Sequence, residues 1–214
     1  SFTTIGGGDG FESQIDYSNP NFCYLENQEG AMRRSTTGAL GSYSSIIPMA
    51  VNDDAAFSAP YMLHRTDPNI MFLGRENMWR STNVKASPAT AVTWEAISTF
   101  PAGLTIRVVE QSPPNLNIMY ISRGTGGSSA VYRSDNCNAA ANSVVWNTIT
   151  KPGGQAPTDI KAHPTDENIV YATAGMQVFK STDKGQTWTD ITGNLPALFI
   201  NCLAYDKDAN EGIY

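Results

Sequence analysis

The sequence predicts an all-β fold built from repeated units of four short strands. A motif with polar and aromatic positions recurs four times along the 214 residues at a nearly constant spacing. Between its occurrences, short apolar runs alternate with turns rich in Gly, Asn, Ser and Pro, which is typical of antiparallel strands. The chain also lacks the 3.6-residue apolar periodicity of amphipathic helices.

The spacing of the motif defines the units. An asparagine precedes an apolar strand at Asn21, Asn69, Asn117 and Asn168, which are 48, 48 and 51 residues apart. A serine closes the next strand at Ser35, Ser81, Ser134 and Ser181. Four strands at this period are typical of one blade of a β-propeller. We therefore predict that residues 1–214 form a partial propeller with units at 5–50, 51–103, 104–154 and 155–197 and the start of a fifth at 198–214.

Within a unit the four strands follow in a fixed order. The first precedes the asparagine, as in TDIKAH, the second follows it, as in IVYATA, and the third, as in MQVFKS, ends at the serine. The fourth begins with an aromatic residue that has an isoleucine three residues later, at Tyr43, Trp94, Trp146 and Trp188. Solenoids use shorter repeats and a β-sandwich does not need four similar units, so we favour blades.

Four blades alone would have two uncovered faces and an unpaired strand edge, which stable proteins avoid. The segment 198–214 repeats the beginning of a unit. We therefore expect these residues to be part of a larger propeller within a larger polypeptide.

Composition excludes several classes of function. The formal net charge of −6 argues against a nucleic-acid partner, which would require clustered Lys and Arg. No run of about 18 apolar residues is present, so we predict no membrane span. The three cysteines are scattered and show no metal-ligand spacing, so we expect buried or partly buried free thiols, no metal and no cofactor.

One stretch connects the repeat to a known family. Ser181-x-Asp183-x-Gly185-x-Thr187-Trp188 resembles the Asp-box of BNR-repeat propellers, which include sialidases, xyloglucanase-type glycoside hydrolases and sortilin-like receptors. The match is degenerate in the other units, which have Ser35, Thr37 and Gly38, then Ser81 and Asn83, then Ser134 and Asp135. The resemblance indicates an architecture rather than an activity.

The motif residues are expected to support the fold. An Asp side chain accepts hydrogen bonds from nearby backbone N–H groups and holds a tight turn, and Gly adopts conformations that other residues avoid. The resemblance implies that such boxes lie on the outer turn between the third and fourth strands. We therefore assign Ser181, Asp183, Gly185 and Trp188 structural roles.

Other polar residues that recur at one repeat position are also expected to be structural. His64 and His163 both stand six residues before a strand isoleucine. Arg34, Arg80, Arg133 and Lys180 share a position, where they should face neighbouring strands or solvent. Asp206, Asp208 and Asn210 resemble the start of a calcium loop but lack its Gly and closing Glu, so they do not alter the expectation of no metal.

Polar residues that do not recur are better candidates for function, because propeller ligands bind near the central channel. The segments that precede or form the inner strands offer Asp9, Glu12 and Asp159 as candidate catalytic carboxylates. The same segments offer Tyr61 and Arg107 as candidate binding residues.

Two functions remain open at this point. The segments GGGDGFESQIDYSNPN and WTDITGNLP resemble large exported Bacteroidetes proteins, many of which use type IX secretion. This resemblance implies an extracellular or cell-surface module for binding, adhesion or scaffolding, with protein or glycan partners. The alternative is a sialidase- or xyloglucanase-like glycoside hydrolase that uses two inner-rim carboxylates. No sialidase-like arginine triad is visible, and a sortilin-like receptor is disfavoured because its cysteine-rich module is absent.

Overall fold

The fold is all-β, as the repeat predicts. We describe residues 11–206 and 212–213 of a computed structural model of the chain. In this part of the chain, sixteen strands form four antiparallel sheets of four strands, and strands adjacent in sequence are adjacent in each sheet. These sheets are blades of the propeller type. The described helices are single 3₁₀ turns, far too short to cross a bilayer.

The strands are numbered in chain order, four to a blade. Blade 1 contains β1 (Ser13–Ile15), β2 (Cys23–Glu26), β3 (Met32–Ser35) and β4 (Ser44–Ser45). Blade 2 contains β5 (Tyr61–Leu63), β6 (Met71–Gly74), β7 (Met78–Ser81) and β8 (Glu95–Ala96). Blade 3 contains β9 (Ile106–Gln111), β10 (Met119–Arg123), β11 (Ala130–Ser134) and β12 (Asn147–Ile149). Blade 4 contains β13 (Asp159–Ala162), β14 (Val170–Ala174), β15 (Gln177–Ser181) and β16 (Thr189–Asp190).

The chain divides into two compact units. The first, Ser1–Ile106, holds blades 1 and 2, and the second, Arg107–Tyr214, holds blades 3 and 4. In every blade the second strand is buried along its whole length, and it has a neighbouring strand on each edge. This explains why the second strands are the most apolar segments of the repeat.

In each unit the core is the layer between its two blades. In the first unit, Tyr24 and Ile46 of blade 1 pack with Leu63 and Met71 of blade 2. In the second unit, the residues at the equivalent positions of blade 3, Tyr120 and Ile149, pack with blade 4. Burial of each such side chain contributes about 1.5–3 kcal/mol. Blade-to-blade contact is therefore the main source of apolar stabilisation within a unit.

Tryptophan side chains also join the two blades of each unit by hydrogen bonds. Trp94 of blade 2 donates its indole N–H to the carbonyl of Ile46 in blade 1, at 2.7 Å. Trp188 of blade 4 donates to the carbonyl of Thr150 in blade 3, at 2.8 Å. The aromatic residue of the repeat therefore packs in the core and also binds the preceding blade.

Arginines join the same blades in the opposite direction. Arg34 of blade 1 donates to the carbonyls of Val84 and Ala86, in the turn that follows the third strand of blade 2. Arg133 of blade 3 donates to the carbonyl of Lys184 in the equivalent turn of blade 4, at 2.8 Å. The shared basic position, expected to face neighbouring strands or solvent, thus holds the next blade in these two cases.

The Ser181–Trp188 turn is held by its own side chains. The two carboxylate oxygens of Asp183 accept hydrogen bonds from the backbone N–H and the hydroxyl of Thr187, at 2.9 and 2.6 Å. The Ser181 hydroxyl oxygen accepts the N–H of Gly185 at 2.8 Å. The hydrogen bonds from Thr187 lower the pKa of Asp183 to about 2. The Asp183 carboxylate therefore stabilises the turn through hydrogen bonds within it.

Asparagines replace the aspartate in the equivalent turns of two other blades. Asn83 Oδ1 accepts the N–H of Thr93 at 2.8 Å. Asn136 Oδ1 accepts the N–H of Val145 at 2.9 Å. In blade 3 the equivalent residue is Asn136 rather than Asp135, because the serine hydroxyl contacts the residue two positions ahead. Asp135 forms an ion pair with Arg133 instead.

The two histidines hold the turn that follows the first strand. Nδ1 of His64 accepts hydrogen bonds from the backbone N–H groups two and three residues ahead, at 3.3 and 3.1 Å. His163 makes the same pair at 3.2 and 3.0 Å. In blade 1 a carboxylate oxygen of Asp16 takes this role. Burial lowers the pKa of His64, which favours the neutral ring that this acceptor role requires. The structural role expected for the histidines is confirmed.

Replacing His64 by alanine should lower the free energy of unfolding by about 1–3 kcal/mol, because two backbone N–H groups lose their acceptor. Urea denaturation at neutral pH measures this loss. His64→Asp, which introduces the carboxylate found at this position in blade 1, should lose clearly less free energy of unfolding than His64→Ala. Equal losses in the two variants would show that the hydrogen bonds to this side chain are not what stabilises the turn.

Replacing Gly185 by alanine should destabilise the protein in two ways. The residue has a φ of +82°, and a left-handed conformation costs a residue with a Cβ roughly 1–2 kcal/mol. The new Cβ would also lie 2.6 Å from Cδ1 of Ile149. Gly126→Ala is the matched control, since Gly126 has a φ of +58° but no atom within 4 Å of the added Cβ. Urea midpoints should fall further for Gly185→Ala, and equal shifts would exclude the packing contribution.

Candidate functional site

A cleft in the second unit lies where strand ends and turns of blades 3 and 4 meet the 199–201 segment. Its cavity volume is about 640 Å³. The walls come from the β10–β11 turn at 124–127, the 154–158 segment before β13, and Gly175 between β14 and β15. Pockets of this size, lined by a few convergent polar groups, are typical of ligand sites.

Arg107 supplies the charge of this cleft. It lies between Ile106 and Val108 in β9, and because both neighbours are buried, strand alternation directs its side chain to the exposed side. Among the residues that the structure describes, Arg107 has no hydrogen-bond or ion-pair partner, and no other charged side chain lines the cleft. The sequence-based candidate is therefore brought to an open site, where no described residue pairs with its guanidinium.

Neutral groups surround this cation. The lining includes Thr125, Gln155, Asn201 and Phe199, and Phe199 is 71% exposed. Thr158 anchors one wall, because its hydroxyl donates to the carbonyl of Ile200 at 2.7 Å. The cleft thus offers a cation, an exposed ring, and amide and hydroxyl groups. This set can bind a ligand but has no carboxylate for acid–base work among the described lining residues.

Asp159 lies next to this cleft, but its carboxylate makes backbone contacts. One oxygen accepts the N–H of Ile160 at 2.9 Å and is 3.2 Å from the ammonium of Lys161. The other accepts the N–H of Leu203 at 2.9 Å. These contacts hold the 198–206 segment against blade 4. The catalytic role predicted for Asp159 stays a prediction.

The two candidates in the first unit lie together. Glu12 is exposed and accepts a hydrogen bond from the side chain of Gln14 at 2.9 Å. Tyr61 is buried in the core, where its hydroxyl donates to the carbonyl of Glu12 at 3.1 Å, and burial raises its pKa. These contacts stabilise the packing of blade 1 on blade 2. The catalytic role of Glu12 and the binding role of Tyr61 stay predictions, and Asp9 lies outside the described residues.

Sequence reasoning missed two inner-strand residues that connect the blades of each unit. Gln14 Oε1 accepts the backbone N–H of Leu63, and Glu110 Oε1 accepts that of Ala162, each at 3.1 Å. Each lies two residues before the residue that begins the turn after the first strand, Asp16 in blade 1 and Ser112 in blade 3. Gln14 and Glu110 are 96 residues apart, which is two repeat periods. The repeat spacing could therefore have found them.

Glu26 was also missed, and no sequence signal marks it. It is fully buried at the end of β2, where one carboxylate oxygen accepts the N–H groups of Gly30 and Ala59, at 3.0 and 3.3 Å. The other oxygen is buried without a hydrogen bond. Burial raises the pKa of Glu26, although these two hydrogen bonds oppose the shift. Since no solvent reaches it, Glu26 is a structural carboxyl rather than a substrate contact.

The predictions on thiols and metals can be compared with the described residues. Cys23, Cys137 and Cys202 are free thiols, and Cys23 and Cys137 are buried as expected. Cys202 is exposed, so the expected burial is wrong for this residue. Within residues 11–206 and 212–213, no group of three His, Cys, Asp or Glu side chains could hold a metal ion. Of the calcium-loop-like residues, Asp208 and Asn210 lie outside the described part of the chain.

Known structures show the same fold at low sequence identity. The chain is similar to the GH74 xyloglucanase from Xanthomonas campestris, with 14% identity and a TM-score of 0.68, over 93% of this chain and 35% of that one. It is also similar to an ancestral GH74 enzyme, with 15% identity and a TM-score of 0.58, over 85% of this chain and 24% of that one. The chain thus spans about a third or less of these enzymes.

A third similar structure is a protein named YCF48. YCF48 from Cyanidioschyzon merolae has 13% identity and a TM-score of 0.59, over 89% of this chain and 61% of that one. No protein-family model and no curated protein sequence matches the chain. At these identities the likenesses confirm the β-propeller fold and do not assign an activity.

The raised pKa of Glu26 predicts a pH-dependent effect of Glu26→Gln. The folded carboxyl binds its proton more tightly than an unfolded one, whose pKa is about 4.3. The wild-type protein should therefore lose stability as the pH rises from the unfolded pKa through the raised folded value, whereas glutamine cannot ionise.

Urea denaturation at several pH values between 4 and 7 tests this expectation. The stability of Glu26→Gln relative to wild type should increase with pH. Glu26→Ala removes the acceptor as well and should be destabilised throughout the range. A constant difference between wild type and Glu26→Gln would contradict the raised pKa.

Proposed function

We propose that the chain is a ligand-binding module of a larger exported, cell-surface propeller protein. The cleft around Arg107 carries the proposal, because it presents an available cation and has no carboxylate among its described lining residues. A guanidinium binds carboxylate or sulfate groups through two parallel hydrogen bonds. Exposed Phe199 and the neutral side chains suit the remainder of a glycan or peptide ligand. The ligand proposed is therefore one with an anionic group.

The BNR/Asp-box assignment belongs to this proposal. The side-chain hydrogen bonds of Asp183, with equivalents at Asn83 and Asn136, support it. The extracellular or cell-surface location, with type IX secretion as the route, is proposed from the sequence resemblance to exported Bacteroidetes proteins. A signal sequence and a C-terminal sorting domain in the full gene product would support this location.

A glycoside hydrolase is the second candidate, favoured by the fold shared with the GH74 enzymes. Hydrolysis requires two carboxyl groups about 5–10 Å apart beside the sugar. Asp159, the carboxylate nearest to the cleft in sequence, is bound to backbone N–H groups and to Lys161. This geometry favours binding over hydrolysis.

Replacing Arg107 by glutamine should weaken binding of an acidic oligosaccharide at least tenfold, because the charge-assisted hydrogen bonds are lost. Calorimetric titration with oligogalacturonate, and with a neutral xyloglucan oligosaccharide for comparison, measures this change. Arg33→Gln is the matched control, since Arg33 is an exposed arginine outside the cleft and should not affect affinity.

The same preparations distinguish the two functions. Chromatography of xyloglucan after incubation should show no products for the binding module. Release of oligosaccharides that Asp159→Ala abolishes would instead establish the hydrolase. If Arg107→Gln bound oligogalacturonate with unchanged affinity, the cleft would not be the binding site for an anionic ligand.

A further inference from the structure

The outward face of blade 4 carries an apolar groove, which we call the blade 4 groove. Its volume is about 620 Å³. The lining includes Val178, Ile191, Leu195, Leu198 and Ile213. Leu195 and Leu198 are more than half exposed. Contiguous exposed apolar side chains of this kind are typical of interaction sites.

The repeat shows what normally covers this position. Ile191 is 40% exposed, whereas its counterparts Ile46 and Ile149 are 2% and 5% exposed. Those two isoleucines lie in the apolar clusters that blades 2 and 4 complete. The same residue type at the same place in the blade is therefore buried wherever the next blade of its unit is present. The exposure of Ile191 corresponds to a missing neighbour.

Lys180 supports the same comparison. Its counterparts Arg34 and Arg133 donate to carbonyls in the turn of the following blade. Lys180 lines the blade 4 groove, with its ammonium 5.5 Å from the centre of the Tyr171 ring. Lys180 therefore lies at the groove in the position from which Arg34 and Arg133 bind the following blade.

The segment that follows blade 4 in sequence binds blade 4 next to the groove. Ile200 donates its backbone N–H to the carbonyl of Gly175 at 3.0 Å, and Leu203 donates to Asp159 at 2.9 Å. Tyr205 hydrogen-bonds His163 Nε2 at 3.0 Å and forms an antiparallel bridge with Ile213. Residues 200–205 therefore bind blade 4 through hydrogen bonds, as the inner strands of blades 2 and 4 bind the blades before them.

We propose that the blade 4 groove docks the outer strands of a fifth blade, formed by polypeptide that continues from the 198–213 segment. Apolar side chains of that blade cover Ile191 and Leu195. A turn after its third strand accepts a hydrogen bond from Lys180, and an aromatic N–H donor reaches a carbonyl beside Thr192, as Trp188 reaches that of Thr150. The covalent connection favours this occupant over a second copy, because it raises the effective concentration of the segment.

Hydrogen exchange tests the proposal on the full gene product and on residues 1–214 alone. The amide of Ile191, bonded to the carbonyl of Val178, should exchange at least tenfold more slowly in the full product. The Ile191→Asp variant of the full product should lose this additional protection from exchange. The amides of β11, in the interior of blade 3, serve as the internal control and should be equally protected in both proteins and in the variant.

Three outcomes would overturn the proposal. Equal exchange at Ile191 in both proteins would show that the groove stays uncovered. A gene product that ends near residue 214 would leave no fifth blade to dock. A dimer of residues 1–214, dissociated by Ile191→Asp in analytical ultracentrifugation, would assign the groove to a second copy of the chain.

Discussion

Each blade of this protein depends on the blade beside it. A four-stranded sheet with an outer strand of two or three residues buries too little apolar surface to be stable alone, so its second and third strands must pack against a neighbour. Within each unit this layer is framed by reciprocal hydrogen bonds. Trp94 and Trp188 donate back to the preceding blade, and Arg34 and Arg133 donate forward to the turn of the following one. Geometry in one blade thereby fixes the position of the next.

The same dependence separates structural from functional residues. Several positions that recur along the repeat are occupied by side chains that accept hydrogen bonds from backbone N–H groups of turns. Asp183 and His64 illustrate this, since both accept backbone N–H groups inside their own turns. Arg107 has no counterpart of its type and lies where loops of two blades converge. The scaffold thus leaves the inner ends of the strands free to vary, which is where function is found on repeat folds.

Much of this could be predicted from one sequence. The period identified the four strands of each blade, and the shared position of His64 and His163 predicted a turn role. The sequence analysis assigned Asp135 to the turn of blade 3, although the spacing from Ser181 to Asp183 and from Ser81 to Asn83 indicates Asn136, which the structure places there. The complete burial of Glu26 could not be predicted, because its polar sequence neighbours are typical of an exposed turn. Burial depends on what the neighbouring blade places over the residue.

The sequence by itself determined the all-β class, the blade repeat and several of the residues that hold turns, such as Asp183 and the two histidines. These features depend on local hydrogen bonds and on apolar alternation, which neighbouring residues encode. The tertiary structure decided that Arg107 meets an open cleft, that Asp159 anchors a segment, and that Ile191 is exposed where Ile149 is buried. These properties depend on contacts between residues far apart in the chain, and only the packing of one blade on another establishes them.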